Sequence, residues 1–312
     1  MNIDRSAGRV VTRRSFCGGA AAICSAALLP GERASAAQPP PHPAAPPEDY
    51  RITNGRIRQS VMTWIFKMQP EAMMQVCQRM GMHGIEGIGS DKDLVEKARK
   101  LGLAVSNAGS AGFKNAPLNR DQHEGYFVAV RQAIDKNAAA GIPGMIVFTG
   151  YREKGISDQQ AKQNCIEAWK KLAPYAEEKK VTLCLEILNS RDNSGWMTGH
   201  PGYFGDDVDL CADLIRAVGS PRLKLLLDIY HVQIMNGDLV RRIRQYRDII
   251  GHVHTAGVPG RHELDESQEI NYPAVMRALV EIGYQGYVAH EFVPTWPDKL
   301  AALRHAVRLC DV

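Results

Sequence analysis

From about residue 57 onward, the sequence alternates short apolar runs with longer amphipathic segments. This alternation predicts βα units around a parallel sheet, because parallel strands need a crossover segment between them. A doubly wound open sheet is the alternative, but it would usually have a Gly-rich phosphate loop after an early strand, and none is found. Eight strands, each followed by a helix, are the number in a TIM barrel. We therefore predict an α/β fold, a single-domain (β/α)8 barrel over residues 57–312. Its predicted strands are 60–66, 84–88, 104–107, 145–149, 182–188, 224–230, 252–256 and 287–292.

The N-terminal segment resembles an export signal. Arg13 and Arg14 form a twin-arginine element, a small-residue apolar run covers 18–29, and residues 34–36 (ASA) fit a cleavage site. The run is shorter than the roughly 20 residues that span a bilayer, so we expect no stable membrane anchor. We predict a signal peptide over 1–36, a Pro/Ala-rich linker over 37–56, and a periplasmic or extracellular location.

The net charge of +4 belongs mostly to this segment. Residues 1–36 contain five basic and two acidic side chains, and the remaining residues contain 33 basic and 32 acidic ones. A nearly neutral body has no field that would attract nucleic acid, so we expect no nucleic-acid partner. The partner expected from the residues described below is a small-molecule substrate. The five cysteines after residue 36 are scattered, which predicts buried thiols and no disulfide framework. The sequence leaves a homo-oligomer open.

Four polar residues follow four consecutive predicted strands. They are Glu186, Asp228, His254 and Glu291. The active site of a TIM barrel lies at the carboxyl ends of its strands, so these side chains should converge. One such carboxylate alone is most often a helix cap, but four in succession are difficult to explain as caps. Three carboxylates and one imidazole suit one divalent ion such as Mn2+, Mg2+ or Co2+, and suit a structural zinc poorly.

His252 and His254 form a His-x-His pair on one face of a strand. Both could bind the ion. His254 is the preferred ligand because it is nearer the strand end. His252 is expected to be a hydrogen-bonded histidine one layer deeper in the barrel, although the sequence leaves its ligation open.

Several segments of the second half resemble the sugar isomerase/epimerase superfamily of xylose-isomerase-like barrels, and most closely its hydroxypyruvate isomerase branch. These segments are LEILN at 185–189, DIYHVQ at 228–233, GHVH at 251–254, VPGR at 258–261, NY at 271–272 and HE at 290–291. The resemblance is strong from about residue 180 to the end and weak before it. His254 occupies a position where hydroxypyruvate isomerases usually have Gln and ketose 3-epimerases have His, and Leu264 replaces an expected Pro.

The resemblance implies roles for individual residues. The four strand-end residues would be the metal ligands, and Glu186 and Glu291 would carry protons on either side of the substrate. His231 and Arg261 would hold substrate oxygens, and Glu263 would be a further polar site residue. Trp64 is expected to supply an apolar wall together with Trp196 and Phe66, and the Gly-rich segment 189–205 is expected to cover the site.

The chemistry predicted from these parts is an aldose–ketose type isomerisation through an enediolate. A ketose 3-epimerase, or a dehydratase of polyols or hydroxy acids, would use the same ligands and remains open. A non-catalytic exported carbohydrate-binding barrel is an alternative of another class, but it would not need both glutamates. A DNA-cleaving endonuclease of this fold would need more strand-end histidines and a basic face.

Overall fold

The computed structural model describes residues 43, 44 and 46–312. The predicted signal peptide and residues 37–42 and 45 of the predicted linker lie outside the described residues. Within the described part, no helix is both long and apolar enough to cross a membrane. The last part of the predicted linker contacts the barrel, because the Asp311 carboxylate accepts hydrogen bonds from the backbone N–H groups of Thr53, Asn54 and Gly55.

The described residues form a (β/α)8 barrel, as the sequence predicts. The strands are β1 (Arg58–Val61), β2 (Gly84–Glu86), β3 (Ala104–Asn107), β4 (Ser110–Ala111), β5 (Gly144–Val147), β6 (Thr182–Glu186), β7 (Leu223–Asp228), β8 (Ile250–Thr255) and β9 (Tyr287–His290). The helices are α1 (Pro70–Met80), α2 (Lys92–Lys100), α3 (His123–Ala140), α4 (Asp158–Lys179), α5 (Val208–Val218), α6 (Ile229–Met235), α7 (Leu239–Gln245), α8 (Tyr272–Glu281) and α9 (Lys299–Leu309). Two 3-10 turns cover Thr63–Phe66 and Arg120–Gln122.

All the strand pairs are parallel. Seven strands are joined in the order β1-β9-β8-β7-β6-β5-β4, and β2 pairs with β3. A parallel bridge between Met62 and Glu86 connects β1 to β2. On the other side of this pair, the Ala108 N–H donates to the Gly144 carbonyl and connects the end of β3 to β5. The ring is therefore closed, and the carboxyl ends of all strands meet at one end of the barrel.

The structure contains one more strand than predicted. The two-residue strand β4 follows β3 after a turn at Gly109, whose φ of 75° interrupts the regular strand. Together β3 and β4 occupy the third position of the barrel, so the count of eight positions is kept. The interruption matters for the site because Gly109, Ser110 and Phe113, at and after the turn, line the cavity described below.

Two predicted strands end early in a helical segment: the 3-10 turn Thr63–Phe66 takes the end of predicted strand 60–66, and helix α6 takes the end of predicted strand 224–230. The apolar run 224–230 continues beyond Asp228, but β7 ends at Asp228 and α6 begins immediately after it. The cause is local, because the Asp228 carboxylate accepts a hydrogen bond from the His231 N–H and so caps the new helix. This cap brings His231 to the same end of the barrel as Asp228.

The interior of the described barrel is apolar, with polar side chains gathered at the strand ends. Trp169 and Tyr126 are fully buried between the sheet and the outer helices, and their polar atoms hydrogen bond to each other at 2.8 Å. The five cysteines in the described part are buried and free, as the sequence predicts. They are Cys77, Cys165, Cys184, Cys211 and Cys310.

Candidate active site

The four strand-end residues predicted as ligands come together at the carboxyl end of the barrel. Glu186 ends β6, Asp228 ends β7, His254 lies next to the end of β8, and Glu291 directly follows β9. Asp228 and His254 are paired across neighbouring strands. Each residue offers one ligand atom, and these atoms all lie within 4.8 Å of one another. All four side chains are buried.

The contacts inside this cluster fit an ion. His254 Nδ1 lies 2.8 Å from Glu291 Oε2 and 3.5 Å from Glu186 Oε1. Nevertheless, His254 Nδ1 and Glu291 Oε2 have no partner with the geometry of a hydrogen bond. Buried polar atoms are rarely left in this state. Two such atoms that face each other at short distance are what a shared cation would satisfy.

Glu86 is a buried acidic residue that the sequence analysis missed. It ends β2 and is fully buried. Its Oε1 lies 2.8 Å from His252 Nε2, and its Oε2 lies 3.4 Å from His254 Nε2. The Ser106 hydroxyl also donates to Oε1 at 2.7 Å. Glu86 therefore contacts the side of His254 that faces away from the four-residue cluster, an arrangement that orients metal-binding histidines in other proteins.

His252 lies beside Glu86, one layer below the cluster. Glu86, His252 and His254 form a second group whose geometry could hold an ion. Because Glu86 touches both imidazoles, this carboxylate explains why two adjacent buried histidines are tolerated here. Glu86 ends β2 in the structure, but the predicted strand continues to Ile88, so the sequence did not mark Glu86 as a strand-end residue.

Arg261 connects the cluster to the segment 189–205. Its guanidinium Nη2 lies 2.7 Å from Glu291 Oε2, and its Nη1 donates to the Met197 carbonyl at 2.8 Å. The side chain is 2% exposed, and the backbone has a positive φ of 61°. Arg261 thus touches a predicted proton carrier and the predicted cover of the site at the same time.

His231 is held in one orientation near Asp228. Its Nδ1 accepts a hydrogen bond from the Asn189 N–H at 3.0 Å, so the proton of the neutral ring lies on Nε2. That Nε2 lies 3.8 Å from Asp228 Oδ2 and has no hydrogen-bond partner. Burial, followed by the charge of Arg261, lowers the pKa of His231 well below its usual value, so the ring is a neutral donor. Its role in holding substrate stays a prediction.

Glu263 and Trp64, the other two predicted substrate-binding residues, differ in placement. Trp64 lines the cavity above the cluster and is 39% exposed. Both carboxylate oxygens of Glu263 accept hydrogen bonds from Thr295, and one also accepts from the Trp296 N–H. Glu263 is outside the lining of that cavity. These hydrogen bonds attach Glu263 to the chain after β9. Its contact with substrate stays a prediction.

Burial and crowding perturb the ionisation of the cluster. The pKa of Asp228 is raised to about 7, first by burial and then by the carboxylates of Glu291 and Glu186. Burial alone would raise the pKa of Glu291, but Arg261 and His254 lower it to about 2. Burial alone would lower the pKa of His254, but the surrounding carboxylates raise it well above its usual value. Protonation and the charge of Arg261 therefore offset part of the carboxylate charge of the cluster, which is the role that a bound cation would take over.

A cavity of about 370 Å3 opens above the cluster. Its floor includes Glu186, Glu291 and Arg261. Its walls are mainly apolar and come from the loops after the early strands and from the segment 189–205. They include Met62, Trp64, Phe113, Phe148, Leu188, Met197 and His200. A small polar floor beneath apolar walls is the usual form of a site for a small molecule.

Comparison with protein families gives a match over residues 74–310 to the family described as xylose isomerase-like TIM barrel. The chain belongs to this family. Among curated proteins, it is 30% identical over 237 residues to a human putative hydroxypyruvate isomerase, which covers 75% of this chain and 78% of the relative. It is also 30% identical to the 2-oxo-tetronate isomerase of Cupriavidus necator, over 60% of this chain and 68% of the relative. The barrel superposes on a solved L-ribulose 3-epimerase with a TM-score of 0.67 at 21% identity, covering 80% of this chain and 92% of that one.

Proposed function

We propose that this family member is a divalent-metal-dependent isomerase that moves a proton between carbons next to a carbonyl group, in an aldose–ketose type reaction. The observation that carries this proposal is the buried group of Glu186, Asp228, His254 and Glu291, whose ligand atoms lie within 4.8 Å of one another beneath a cavity. The curated relatives named as isomerases support the same class of reaction.

The chain supplies the proton transfer itself. Glu186 and Glu291 come from strands that are not neighbours, and both line the cavity floor. One carboxylate removes the proton from the hydroxyl-bearing carbon beside the carbonyl, which leaves an enediolate. The same group or its partner returns the proton to the former carbonyl carbon, while the hydroxyl proton passes to the former carbonyl oxygen and the other oxygen becomes the new carbonyl. A bound divalent ion would supply positive charge that stabilises the negative oxygens of the substrate. The residues fitted to hold it are Glu186, Asp228, His254 and Glu291.

Arg261 and His231 have positions that suit them to orient the substrate. Arg261 Nη2 is already beside Glu291, so its fixed charge faces the same space as that carboxylate. His231 presents the Nε2 donor on the Asp228 side. A cation and a neutral donor with fixed directions would hold two substrate oxygens without competing for the proton.

A second candidate function is 3-epimerisation of a ketose. It is favoured by His254, whose imidazole contributes to the cluster at the position where the hydroxypyruvate isomerase branch usually has Gln. The two reactions share the first proton removal and differ in where the proton returns. NMR of the product separates them, because isomerisation moves the carbonyl carbon and epimerisation inverts a neighbouring centre.

The test is the variant Glu291→Gln, with Glu281→Gln on the exposed surface of α8 as control. We expect Glu291→Gln to lower turnover by at least about a thousandfold, since a carboxamide cannot accept the proton, while the melting temperature stays close to that of the wild type. Turnover and solvent deuterium in the product are followed by NMR in D2O with Mn2+, Mg2+ or Co2+. An unchanged rate in Glu291→Gln would remove this residue from the mechanism.

The location of the protein is a separate proposal. The twin-arginine element and the following apolar run support export to the periplasm or beyond. The experiment is cell fractionation of the full chain and of a variant in which Arg13 and Arg14 are both replaced by Lys. Retention of only the variant in the cytoplasm supports export by this route, and equal retention of both chains contradicts it.

A further inference from the structure

The opening of the active-site cavity carries an unusual concentration of exposed aromatic side chains. Five large hydrophobic side chains are exposed in the described part of the chain. Trp64 and Phe113 line the cavity, and the rings of Trp196 and Tyr151 contact these two from outside its lining. We call these four residues the aromatic rim. They are Trp64, Phe113, Tyr151 and Trp196, with exposures of 39%, 42%, 38% and 60%. The fifth, Val128, lies on α3 and is outside the lining of the cavity.

The aromatic rim is built as two contacting pairs. The ring of Trp64 meets that of Trp196 edge to face, with centroids 5.9 Å apart. The ring of Phe113 stacks with Tyr151 at 5.7 Å. Each pair joins a loop after one strand to a loop after a later strand, so the rings are held in place before any ligand binds. Exposed apolar surface that is grouped and ordered in this way usually marks a binding surface.

The charges of the cavity favour a neutral ligand. Arg261 is the one Lys or Arg among the described residues that line it, and it is already beside Glu291 at 2.7 Å. A phosphate or free carboxylate would need a cation of its own. His200 cannot supply one near neutral pH, because burial, followed by the charge of Arg261, lowers its pKa to about 4. The ion proposed at Glu186 and Glu291 would be taken up by the carbonyl unit of the substrate, so the lining offers no further cation to a phosphate or carboxylate group.

The cavity is larger than a three-carbon substrate needs. At about 30 Å3 for each water in the liquid, its volume of about 370 Å3 has room for about a dozen water-sized groups. A three-carbon hydroxy-keto acid would fill the floor and leave the aromatic rim without a contact. A sugar ring has faces of C–H groups that pack on aromatic rings, and its hydroxyls can reach polar atoms such as the Tyr151 hydroxyl.

We propose that the substrate is an uncharged keto sugar that carries a second sugar ring, with its carbonyl unit on the floor of the cavity and the second ring packed on the aromatic rim. This inference rests on the proposed isomerase function for the chemistry at the floor, but its binding surface is separate. The aromatic rim contributes affinity and selects substrates by size, while the lack of a second Lys or Arg along the lining disfavours phosphorylated sugars and small acids.

The probes are ketoses that share one reactive unit. D-fructose is compared with its 4-O-, 5-O- and 6-O-glucosyl derivatives, and with fructose 6-phosphate and hydroxypyruvate as anions. Binding to the Mn2+-loaded full chain is measured by calorimetry, and proton exchange is measured by NMR in D2O. We expect at least one glucosyl ketose to bind about tenfold more tightly than fructose, and both anions to bind no more tightly than fructose.

The variants Trp196→Ala and Trp64→Ala should each bring the affinity ratio of the glucosyl ketose to fructose down toward one. Val128→Ala removes an equally exposed apolar side chain elsewhere and should leave that ratio unchanged. The proposal is overturned if no glucosyl ketose binds more tightly than fructose, if an anion binds most tightly, or if the rim variants keep the wild-type ratio. If the ratio behaves as expected but no probe exchanges its proton, the isomerase function fails and the binding surface remains.

Discussion

The later and earlier halves of the barrel make different contributions to the candidate active site. Strands β6 to β9 end in Glu186, Asp228, His254 and Glu291, which together form the ion cluster. The strands and loops from β1 to β5 instead supply apolar walls and Glu86, which is hidden beneath the cluster. One half of this fold therefore brings together the charged side chains to which we assign the proposed proton transfer, while the other half shapes the cavity above them.

The largest expected effect belongs to Asp228→Asn in the later half. Asn keeps the oxygen that accepts from the His231 N–H, so α6 remains capped, but one of the three clustered carboxylate charges is lost. Loss of a residue that only orients a metal ligand typically lowers metal affinity about 10- to 100-fold. Because Asp228 is itself a proposed ligand, we expect a larger loss of Mn2+ affinity, and turnover should fall with it. Calorimetry with Mn2+ and NMR assays measure both.

Thermal melting provides a control for this variant. Removing one crowded charge should leave the metal-free variant at least as stable as the metal-free wild type. The ion should then raise the melting temperature of the wild type more than that of the variant, because stabilisation by a ligand follows its affinity. A variant that binds Mn2+ as the wild type does would show that Asp228 only caps α6.

The next effect belongs to Glu86→Gln in the earlier half. Loss of the charge beside His252 and His254 should leave the imidazole of His254 less well oriented, and we expect Mn2+ affinity to fall about 10- to 100-fold. Turnover should recover at saturating Mn2+, since Glu86 is not among the four proposed ligands. Ser106→Ala removes one hydrogen bond to Glu86 and should give a smaller decrease. Turnover that does not recover would place Glu86 in the chemistry itself.

The two halves also differ in how much of them the sequence predicts. In the later half, β6, β7 and β8 contain five or six residues and end in a polar side chain, so both the strands and the converging residues were predictable. In the earlier half, β2 has three residues, and the third position of the barrel is interrupted at Gly109. Such short segments carry too little periodicity to locate a strand end.

Three other features could not be predicted from the sequence, each for a different physical reason. Glu86 and His254 are 168 positions apart, and nothing local to Glu86 reveals that contact. Helix α6 was missed because Ile229 and Tyr230 are buried and continue the apolar run of β7 without a visible break. Phe113 lies in a loop, where an apolar residue belongs to no pattern that would assign it to a cavity.

A smaller effect is expected from Gly112→Ala, which acts on the cavity wall of the earlier half. Gly112 has a φ of 120°, and an added Cβ would lie 2.2 Å from the Phe148 carbonyl oxygen. Strain of about 2 kcal/mol would lower the melting temperature by about 5 °C and displace the adjacent Phe113. We expect a higher KM with unchanged Mn2+ affinity. Gly102→Ala is the matched control, because its φ is 75° but no atom lies within 4 Å of the added Cβ.

The smallest effects should come from the outer helices, where the two halves are alike. Lys97 and Glu71 join α1 and α2 at 2.9 Å in the earlier half, and Arg244 and Glu281 join α7 and α8 at 2.8 Å in the later half. All four side chains are about half exposed, so solvent screens both pairs. Lys97→Ala and Arg244→Ala should therefore each change the melting temperature by at most about 2 °C and leave metal affinity and turnover unaltered. If only Arg244→Ala altered turnover, the specialisation of the later half would extend through its helices and would not be limited to the strand ends.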